Sequence, residues 1–160
     1  MSLLAEQILS AAMAMPEGGL LSPKEFLHLA NRSAIDKTLS RLTQEGKLMR
    51  VCRGMYVAPC YGRFGARAPS TESIVRAIEK KYGETVVPTG VTEANAFGLA
   101  TQIAVREIFL TSGSSRTLLL GKRVVEFRHG TRWEIAMGSR MAGQAIRAMA
   151  WVGPEGHLKR

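Results

Sequence analysis

Apolar side chains at the start of the chain recur at the spacing of one helix face, namely Leu4, Ile8, Ala11 and Met15. This spacing predicts an amphipathic helix over about residues 3–15. A second start signal follows at Ser22, because Pro23 then occupies the first helical position and Glu25 the position of a capping-box glutamate. The pattern therefore predicts two successive helices, separated by a break that contains proline and two glycines.

A third helix is predicted from Ser33, its expected cap, to a stop at Gly46. One side of this helix is an apolar stripe of Ile35, Leu39 and Leu42. The opposite side is polar or basic and carries Ser33, Asp36, Lys37, Ser40, Arg41 and Gln44. The periodicity therefore predicts a helix anchored on one side and polar on the other.

The residues after this helix have the pattern of a hairpin. Residues 47–52 and 55–57 are typical of short strands, and Arg53-Gly54 between them is a two-residue tip in which glycine can take a positive φ. Three helices followed by a hairpin are the order of a winged helix-turn-helix, which reads DNA with its last helix in the major groove. We therefore predict a winged helix-turn-helix DNA-binding domain over residues 1–60.

The rest of the chain predicts a second, smaller unit of mixed structure. Residues 61–69 are rich in glycine and proline without periodicity and are interpreted as a linker. Helical patterns and β-branched or apolar runs then alternate irregularly, with helices at 70–83, 92–99 and 138–151 and strands at 85–88, 105–111, 117–120 and 123–128. The predicted fold class is α+β: an N-terminal winged helix-turn-helix followed by a small α+β domain over residues 70–160.

The balance of charge favours an anionic partner. The 160 residues include 22 Lys and Arg against 13 Asp and Glu, a formal net charge of +9. Between Glu45 and Glu72 there are five basic residues and no acidic one. Many structural proteins are equally basic, so charge favours nucleic acid without deciding for it.

The cysteines and the apolar runs bear on the compartment. Cys52 and Cys60 are the only two cysteines, too few for a disulfide scaffold and more typical of reduced thiols in a cytosolic protein. No apolar run approaches the roughly 18 residues of a membrane span. The first residues also lack the pattern of a signal peptide. We expect a cytoplasmic protein without a membrane partner.

The residues needed for most catalytic chemistry are missing. Asp36 is the only aspartate, so paired aspartates that hold magnesium cannot be assembled, and a Ser-His-Asp triad would have to use this helical residue. Gly113 and the pair Gly121-Lys122 are too far apart for a phosphate-binding loop. The three histidines are scattered, which argues against a metal site. We expect no enzyme, no catalytic residue, no cofactor and no metal.

The candidate DNA contacts are exposed polar and basic side chains of the third helix, the hairpin and the segment after it. They are Arg32, Ser33, Lys37, Ser40, Arg41, Gln44, Arg50, Arg53, Arg63 and Arg67. Arg and Lys can donate to guanine and Gln can pair with adenine in the major groove, whereas hairpin arginines suit phosphates or the minor groove. Basic helix faces are often only solvated, however, and winged helices also dock proteins. RNA is a weaker candidate because the segment is not expected to expose stacking aromatics.

Four segments carry a resemblance to a known family: Ser33–Leu42, Arg50–Val57, Val87–Gly90 and Phe109–Arg116. Over about residues 5–150 the chain resembles the DUF6088 proteins, bacterial proteins related to the AbiEi antitoxins of abortive-infection toxin–antitoxin systems. No single motif is diagnostic, although the Pro-Thr-Gly and Leu-Thr-Ser-Gly-Ser-Ser-Arg pieces are more specific than the winged helix.

The resemblance implies a two-part transcriptional regulator. Its winged helix would bind operator DNA of its own promoter and repress the operon. Its second domain would counter a cognate nucleotidyltransferase-type toxin in the type IV manner, without a stable complex. The basic residues of the second half would then be candidates for phosphate contacts or for the antitoxin role, namely Arg116, Lys122, Arg123 and Arg128.

The competing hypothesis is a non-catalytic interaction module or adaptor whose winged helix docks a protein partner. Inverted repeats upstream of the gene would favour the regulator, and stable co-purification with a neighbouring gene product would favour the adaptor. The sequence alone determines neither the DNA target, nor the oligomeric state, nor the identity of a toxin.

Overall fold

The computed structural model describes residues 2–99, 107–138 and 140–153. By its contacts the chain divides into two compact units, Met1–Tyr82 with Leu119–Arg123, and Gly83–Leu118 with Val124–Arg160. The helix that was expected to open the second domain at residue 70 thus groups with the first unit. The protein is a mixed α+β structure, as predicted.

The first unit contains three helices and two small sheets. The helices are α1 (Leu3–Ala14), α2 (Arg32–Gln44) and α3 (Thr71–Tyr82). A three-stranded antiparallel sheet has the order β1-β3-β2, with β1 (Leu20–Leu21), β2 (Met49–Cys52) and β3 (Met55–Val57). Strands β4 (Cys60–Gly62) and β5 (Gly65–Arg67) form a separate two-stranded hairpin.

The core of this unit is built by the apolar stripes seen in the sequence. Ile8 of α1 and Ile35, Leu39 and Leu42 of α2 are fully buried and share one cluster with Phe26. Each such side chain contributes roughly 1.5–3 kcal/mol by leaving water. The predicted anchoring side of α2 is therefore confirmed.

Two local predictions in this region were wrong. The second helix is only a short 3-10 helix, Pro23–Phe26, although the Glu25 carboxylate does accept from the Ser22 backbone N–H at 2.6 Å. The cap of α2 is Asn31, whose Oδ1 accepts from the Ala34 N–H at 2.9 Å, and not Ser33. Asn31 provides the same oxygen acceptor two residues earlier, so α2 begins one residue before Ser33.

The segment interpreted as an unstructured linker contains the β4–β5 hairpin. Its partners are Cys60↔Arg67, Tyr61↔Ala66 and Gly62↔Gly65. All residues from 61 to 67 are exposed. A ribbon with no buried face has no alternation of apolar and polar residues, so the pattern that predicts a strand is absent.

Where the structure describes the second unit, a four-stranded sheet is accompanied by three helices. The sheet has the order β6-β7-β9-β8, with β6 (Val86–Pro88), β7 (Glu107–Thr111), β8 (Arg116–Leu120) and β9 (Arg123–His129). The strand expected from residue 105 is described from Glu107, and residues 105 and 106 lie outside the described residues. The helices are α4 (Gly90–Ala96), α5 (Arg132–Ile135) and α6 (Met141–Val152).

Parallel and antiparallel pairing are mixed in this sheet. Strand β7 pairs antiparallel with β6 and parallel with β9, in a register that places Phe109 opposite Phe127. Their rings stack with centroids 5.7 Å apart. Helix α4 packs on α6 through Ala94 and Ala148, both fully buried, and small side chains there allow a close approach of the two helices.

Candidate nucleic-acid interface

The outer side of α2 carries the central group of predicted DNA contacts. Arg32, Ser33, Lys37, Ser40, Arg41 and Gln44 are all exposed. Lys37 and Arg41 are one helical turn apart, so they lie on the same side, away from the buried Ile35 and Leu39. The prediction that these two cations point outward is confirmed, whereas their role in DNA binding stays a prediction.

Ion pairs reduce the positive charge of this surface. Arg32 Nε lies 3.0 Å from Asp36 Oδ1 and 3.1 Å from Oδ2. Arg41 Nε is 4.0 Å from Glu45 Oε1, and its Nη2 is 3.4 Å from Ser2 Oγ. These pairs are about half exposed and are worth roughly 0.3–0.5 kcal/mol each, so a phosphate can replace the carboxylate at little cost.

Lys37 differs from these arginines. Within the part of the chain that the structure describes, no carboxylate lies in ion-pairing distance of its Nζ. Its charge is therefore fully available to an external anion, which makes Lys37 the strongest candidate contact on α2.

The hairpin after α2 presents two further arginines. Strands β2 and β3 pair with Arg50 opposite Tyr56, and a register shift lies between Arg50 and Cys52. The tip is Arg53-Gly54, with Gly54 at φ +73°, as the sequence predicted. Arg50 and Arg53 are both exposed, and Arg50 Nε also lies 3.4 Å from the Cys52 carbonyl oxygen.

The β4–β5 hairpin brings Arg63 and Arg67 into different settings. Arg63 is exposed at the tip. Arg67 Nη1 instead donates to Glu17 Oε1 at 3.1 Å and to the Ala68 carbonyl oxygen at 3.2 Å. Arg67 thus makes an exposed ion pair at the base of the hairpin, comparable to those of Arg32 and Arg41 on α2, whereas Arg63 lies at the tip.

Glu17 is the anchor of this hairpin. Its Oε1 accepts from the Ser70 backbone N–H at 3.0 Å and from Arg67, and these two donors lower the pKa of Glu17. Partial burial, together with the nearby Glu17 carboxylate, raises the pKa of the Cys60 thiol. Cys52 and Cys60 are not joined in a disulfide.

The β4–β5 hairpin also exposes aromatic side chains, which the sequence analysis did not expect in this segment. Phe64 at its tip is 98% exposed and Tyr61 is 64% exposed. The expectation that this segment lacks exposed aromatics was wrong, because the side chains lie on a ribbon with no core to cover them. The signal available in the sequence was an aromatic residue between two glycines, Gly62 and Gly65.

The four basic residues of the second half are not equivalent. Arg116 forms an ion pair with Glu84, which also accepts from Thr111 Oγ1 at 2.7 Å. Arg123 donates to Thr71 Oγ1 at 3.0 Å and to the Pro69 carbonyl oxygen at 2.6 Å. Lys122 and Arg128 are exposed, and Arg128 Nε lies 2.9 Å from Glu126 Oε1. Lys122 and Arg128 therefore stay candidate anion contacts, Arg123 is exposed but bonds within the chain, and only Arg116 is largely covered.

The second unit contains a buried ion pair that the sequence pattern did not predict. Arg147 of α6 and Glu93 of α4 are 2% and 5% exposed, with contacts of 2.7 Å from Arg147 Nε and Nη2 to the two carboxylate oxygens. Arg147 also donates to the carbonyl oxygens of Glu134 and Gly138. The available signal was an arginine inside a helical run whose one other polar side chain is Gln144.

Other kinds of site have less support. Among residues 2–99, 107–138 and 140–153, no three His, Cys, Asp or Glu side chains are grouped so as to hold a metal ion. No helix in these described ranges has both the length and the apolar character to cross a membrane.

The comparisons with known proteins give a family but no function. The sequence model of DUF6088, described as a family of unknown function, matches residues 7–158. The chain therefore belongs to the DUF6088 family. Neither the curated proteins nor the solved structures include a significant match to it.

Proposed function

We propose that this protein is a DNA-binding transcriptional regulator without catalytic activity, whose residues 1–60 act as a winged helix-turn-helix. One observation carries this proposal: Lys37 and Arg41 lie exposed on one side of α2, and fully buried Ile35, Leu39 and Leu42 hold the other side. A helix held in this way can enter a major groove without losing its packing.

The order of the elements supports the same proposal. Helix α1, strand β1, a short helical segment, α2 and the β2–β3 hairpin follow one another, and β1 lies on the outer side of β3. This order is compatible with the one expected of a winged helix, although the 3-10 helix Pro23–Phe26 stands where that fold has its second α-helix.

The proposed contacts divide by chemistry. Lys37, Arg41 and Gln44 on α2 suit base edges in the major groove, since lysine and arginine donate to guanine and glutamine pairs with adenine. Arg50 and Arg53 on the β2–β3 hairpin suit phosphates or the minor groove, and they set position more than sequence preference. Arg32 and Ser40 flank these groups on α2 and suit phosphate oxygens.

The second unit is assigned by resemblance. We propose that it counters a nucleotidyltransferase-type toxin, as in AbiEi-type antitoxins, and that the target of the DNA-binding unit is the promoter of its own operon. The support is the resemblance of Val87–Gly90 and Phe109–Arg116 to the DUF6088 proteins, which are related to those antitoxins. The exposed Arg128 is the candidate functional cation of this unit, and the exposed Lys122, which groups with the first unit, is a further candidate from the predicted second domain.

A mobility-shift assay with the DNA upstream of the gene tests the DNA-binding proposal. The wild-type protein is expected to shift this DNA in the presence of excess unrelated duplex. The double variant Lys37→Ala/Arg41→Ala is expected to lose the shift, because each base contact is worth about 1–3 kcal/mol.

The matched control is Arg76→Ala, which removes an exposed cation from α3, outside the proposed surface. It is expected to bind like the wild type. A double variant that binds as well as Arg76→Ala would contradict the assignment of α2 as the reading helix.

A protein-docking module is the second candidate, and one observation favours it. Ion pairs with Asp36 and Glu45 neutralise much of the charge on α2. Stable co-purification with a neighbouring gene product, together with no shift of any duplex, would establish the docking module and exclude the regulator.

A further inference from the structure

The tip of the β4–β5 hairpin holds an aromatic ring almost entirely in water. Phe64 is 98% exposed, more than any other large apolar side chain that the structure describes as exposed. A phenylalanine in this position gives nothing to the packing of its own fold, and its ring is open to any partner that the tip meets.

The ring is presented on a narrow and defined support. Gly62 pairs with Gly65 across the hairpin, which leaves Arg63 and Phe64 as the two tip residues. A Cβ atom added to either glycine would meet nothing within 4 Å, so the sides of the tip are bare. Gly65 has φ +102°, a conformation that residues with a side chain rarely adopt.

The base of the hairpin is held in place. A two-stranded ribbon alone is marginally stable in water. Glu17 contacts the chain where the ribbon ends. It accepts from the guanidinium of Arg67, the last ribbon residue, and from the backbone N–H of Ser70, three residues later. The base of the arm is therefore connected to Glu17 by one backbone hydrogen bond and one exposed ion pair.

Charge indicates the kind of partner. Arg63 lies beside Phe64, is exposed, and has no carboxylate in ion-pairing distance among the residues that the structure describes. From residue 46 to residue 71 the chain has five basic residues and no acidic one. DNA fits this combination of groups. Its phosphates can pair with the Arg63 cation, and the apolar faces of its stacked bases can contact the Phe64 ring.

We infer that the β4–β5 hairpin is a second DNA-contacting arm, which inserts Phe64 between base pairs from the minor groove while Arg63 contacts the groove edge or phosphates. The inference rests on the proposed function, because it needs α2 to hold the duplex. Apolar wedges that enter the minor groove unstack a base step and kink the duplex. The arm would thus bend the operator beside the site that α2 reads.

Bending of a labelled duplex tests this inference. The probe is a duplex of about 30 base pairs from the DNA upstream of the gene, with a fluorophore at each end, so that anisotropy reports binding and energy transfer reports the bend. Phe64→Ala is expected to bind about tenfold more weakly and to lose the rise in energy transfer. Phe64→Leu, which keeps an apolar wedge, is expected to retain most of both.

The control is Met149→Ala, which removes an exposed apolar side chain from α6, and it is expected to match the wild type. If Phe64→Ala binds and bends the duplex like the wild type, the inference is overturned and the proposed function stands. If the wild type binds no duplex, both are overturned. If Phe64→Ala instead converts a dimer to a monomer in light scattering with the bend unchanged, the ring belongs to a contact between copies and the inference fails.

Discussion

Arg147 and Glu93 form a two-pronged ion pair between α6 and α4, with both side chains at least 95% buried. The other Arg147 N–H groups donate to the backbone oxygens of Glu134, in α5, and Gly138 at 2.7 and 2.9 Å. Because one guanidinium thus links three segments of the second unit, we interpret the pair as a structural tie and not as a catalytic group.

Removing one partner of this pair should be costly. Arg147→Met leaves the Glu93 carboxylate buried without its counter-charge, and we expect a loss of about 3–5 kcal/mol in the free energy of unfolding. The double variant Arg147→Met/Glu93→Leu should lose less than the sum of the two single variants, since it leaves no lone charge. Urea denaturation measures all three, and a loss below about 1 kcal/mol for Arg147→Met would refute the structural role.

Gly18 should be far less replaceable than Gly46. Both have positive φ, +81° and +76°, so alanine is strained at either site by about 1–2 kcal/mol. At Gly18 the new Cβ would also lie 2.7 Å from the Ser73 carbonyl carbon of α3, whereas at Gly46 it would meet nothing within 4 Å. We expect Gly18→Ala to cost about 1–3 kcal/mol more than Gly46→Ala in thermal unfolding. Equal losses would show that α3 does not pack on the Gly18 backbone.

The Glu17 anchor should weaken in acid. The Ser70 N–H and Arg67 lower the pKa of Glu17 in the folded protein, so this carboxylate stabilises the fold fully above about pH 4.5, the ordinary pKa of glutamate. That contribution is lost as the pH falls through the lower, folded-state pKa. The Ser70 amide proton shift in NMR should therefore titrate with a midpoint below 4.5. In Glu17→Gln this titration should disappear, and its persistence would assign it to another group.

Alanine variants of Arg116 and Arg53 should have opposite effects, one on stability and the other on DNA affinity. Arg116 is paired with Glu84 inside the second unit, whereas Arg53 is exposed at the tip of the β2–β3 hairpin. We expect Arg116→Ala to lower the melting temperature while leaving affinity for upstream DNA unchanged. Arg53→Ala should keep the melting temperature and weaken binding. An Arg116→Ala variant with an unchanged melting temperature and weaker DNA binding would instead identify Arg116 as a phosphate contact.

The sequence allowed α2 and the β2–β3 hairpin to be predicted closely because local rules govern both. The apolar spacing of Ile35, Leu39 and Leu42 specifies one buried helix side, and Gly54 specifies the tip. The cap was misplaced because Asn31 and Ser33 are both good acceptors, and only the fold decides which one meets a free N–H.

The remaining features depend on partners distant in the chain. The β4–β5 hairpin has no buried side and so no alternating pattern, and Glu17 holds it from 50 residues away. The partner of Arg147 is 54 residues away, which no local spacing reveals. Of the candidate site, the exposure of Lys37 and Arg41 was predictable, but the internal use of Arg67, Arg116 and Arg123 was not, because ion pairing follows from the tertiary structure.

The salt dependence of DNA affinity tests the central claim most directly. Titration of upstream duplex with the wild type, Lys37→Ala/Arg41→Ala and Arg76→Ala over a range of salt concentrations gives the slope of log affinity against log salt. Each lost phosphate contact should reduce that slope by about 0.9, and a lost base contact should lower affinity at every salt concentration. We predict weaker binding for the double variant at all salt concentrations and an unchanged line for Arg76→Ala. Identical lines for all three proteins would contradict DNA recognition by α2.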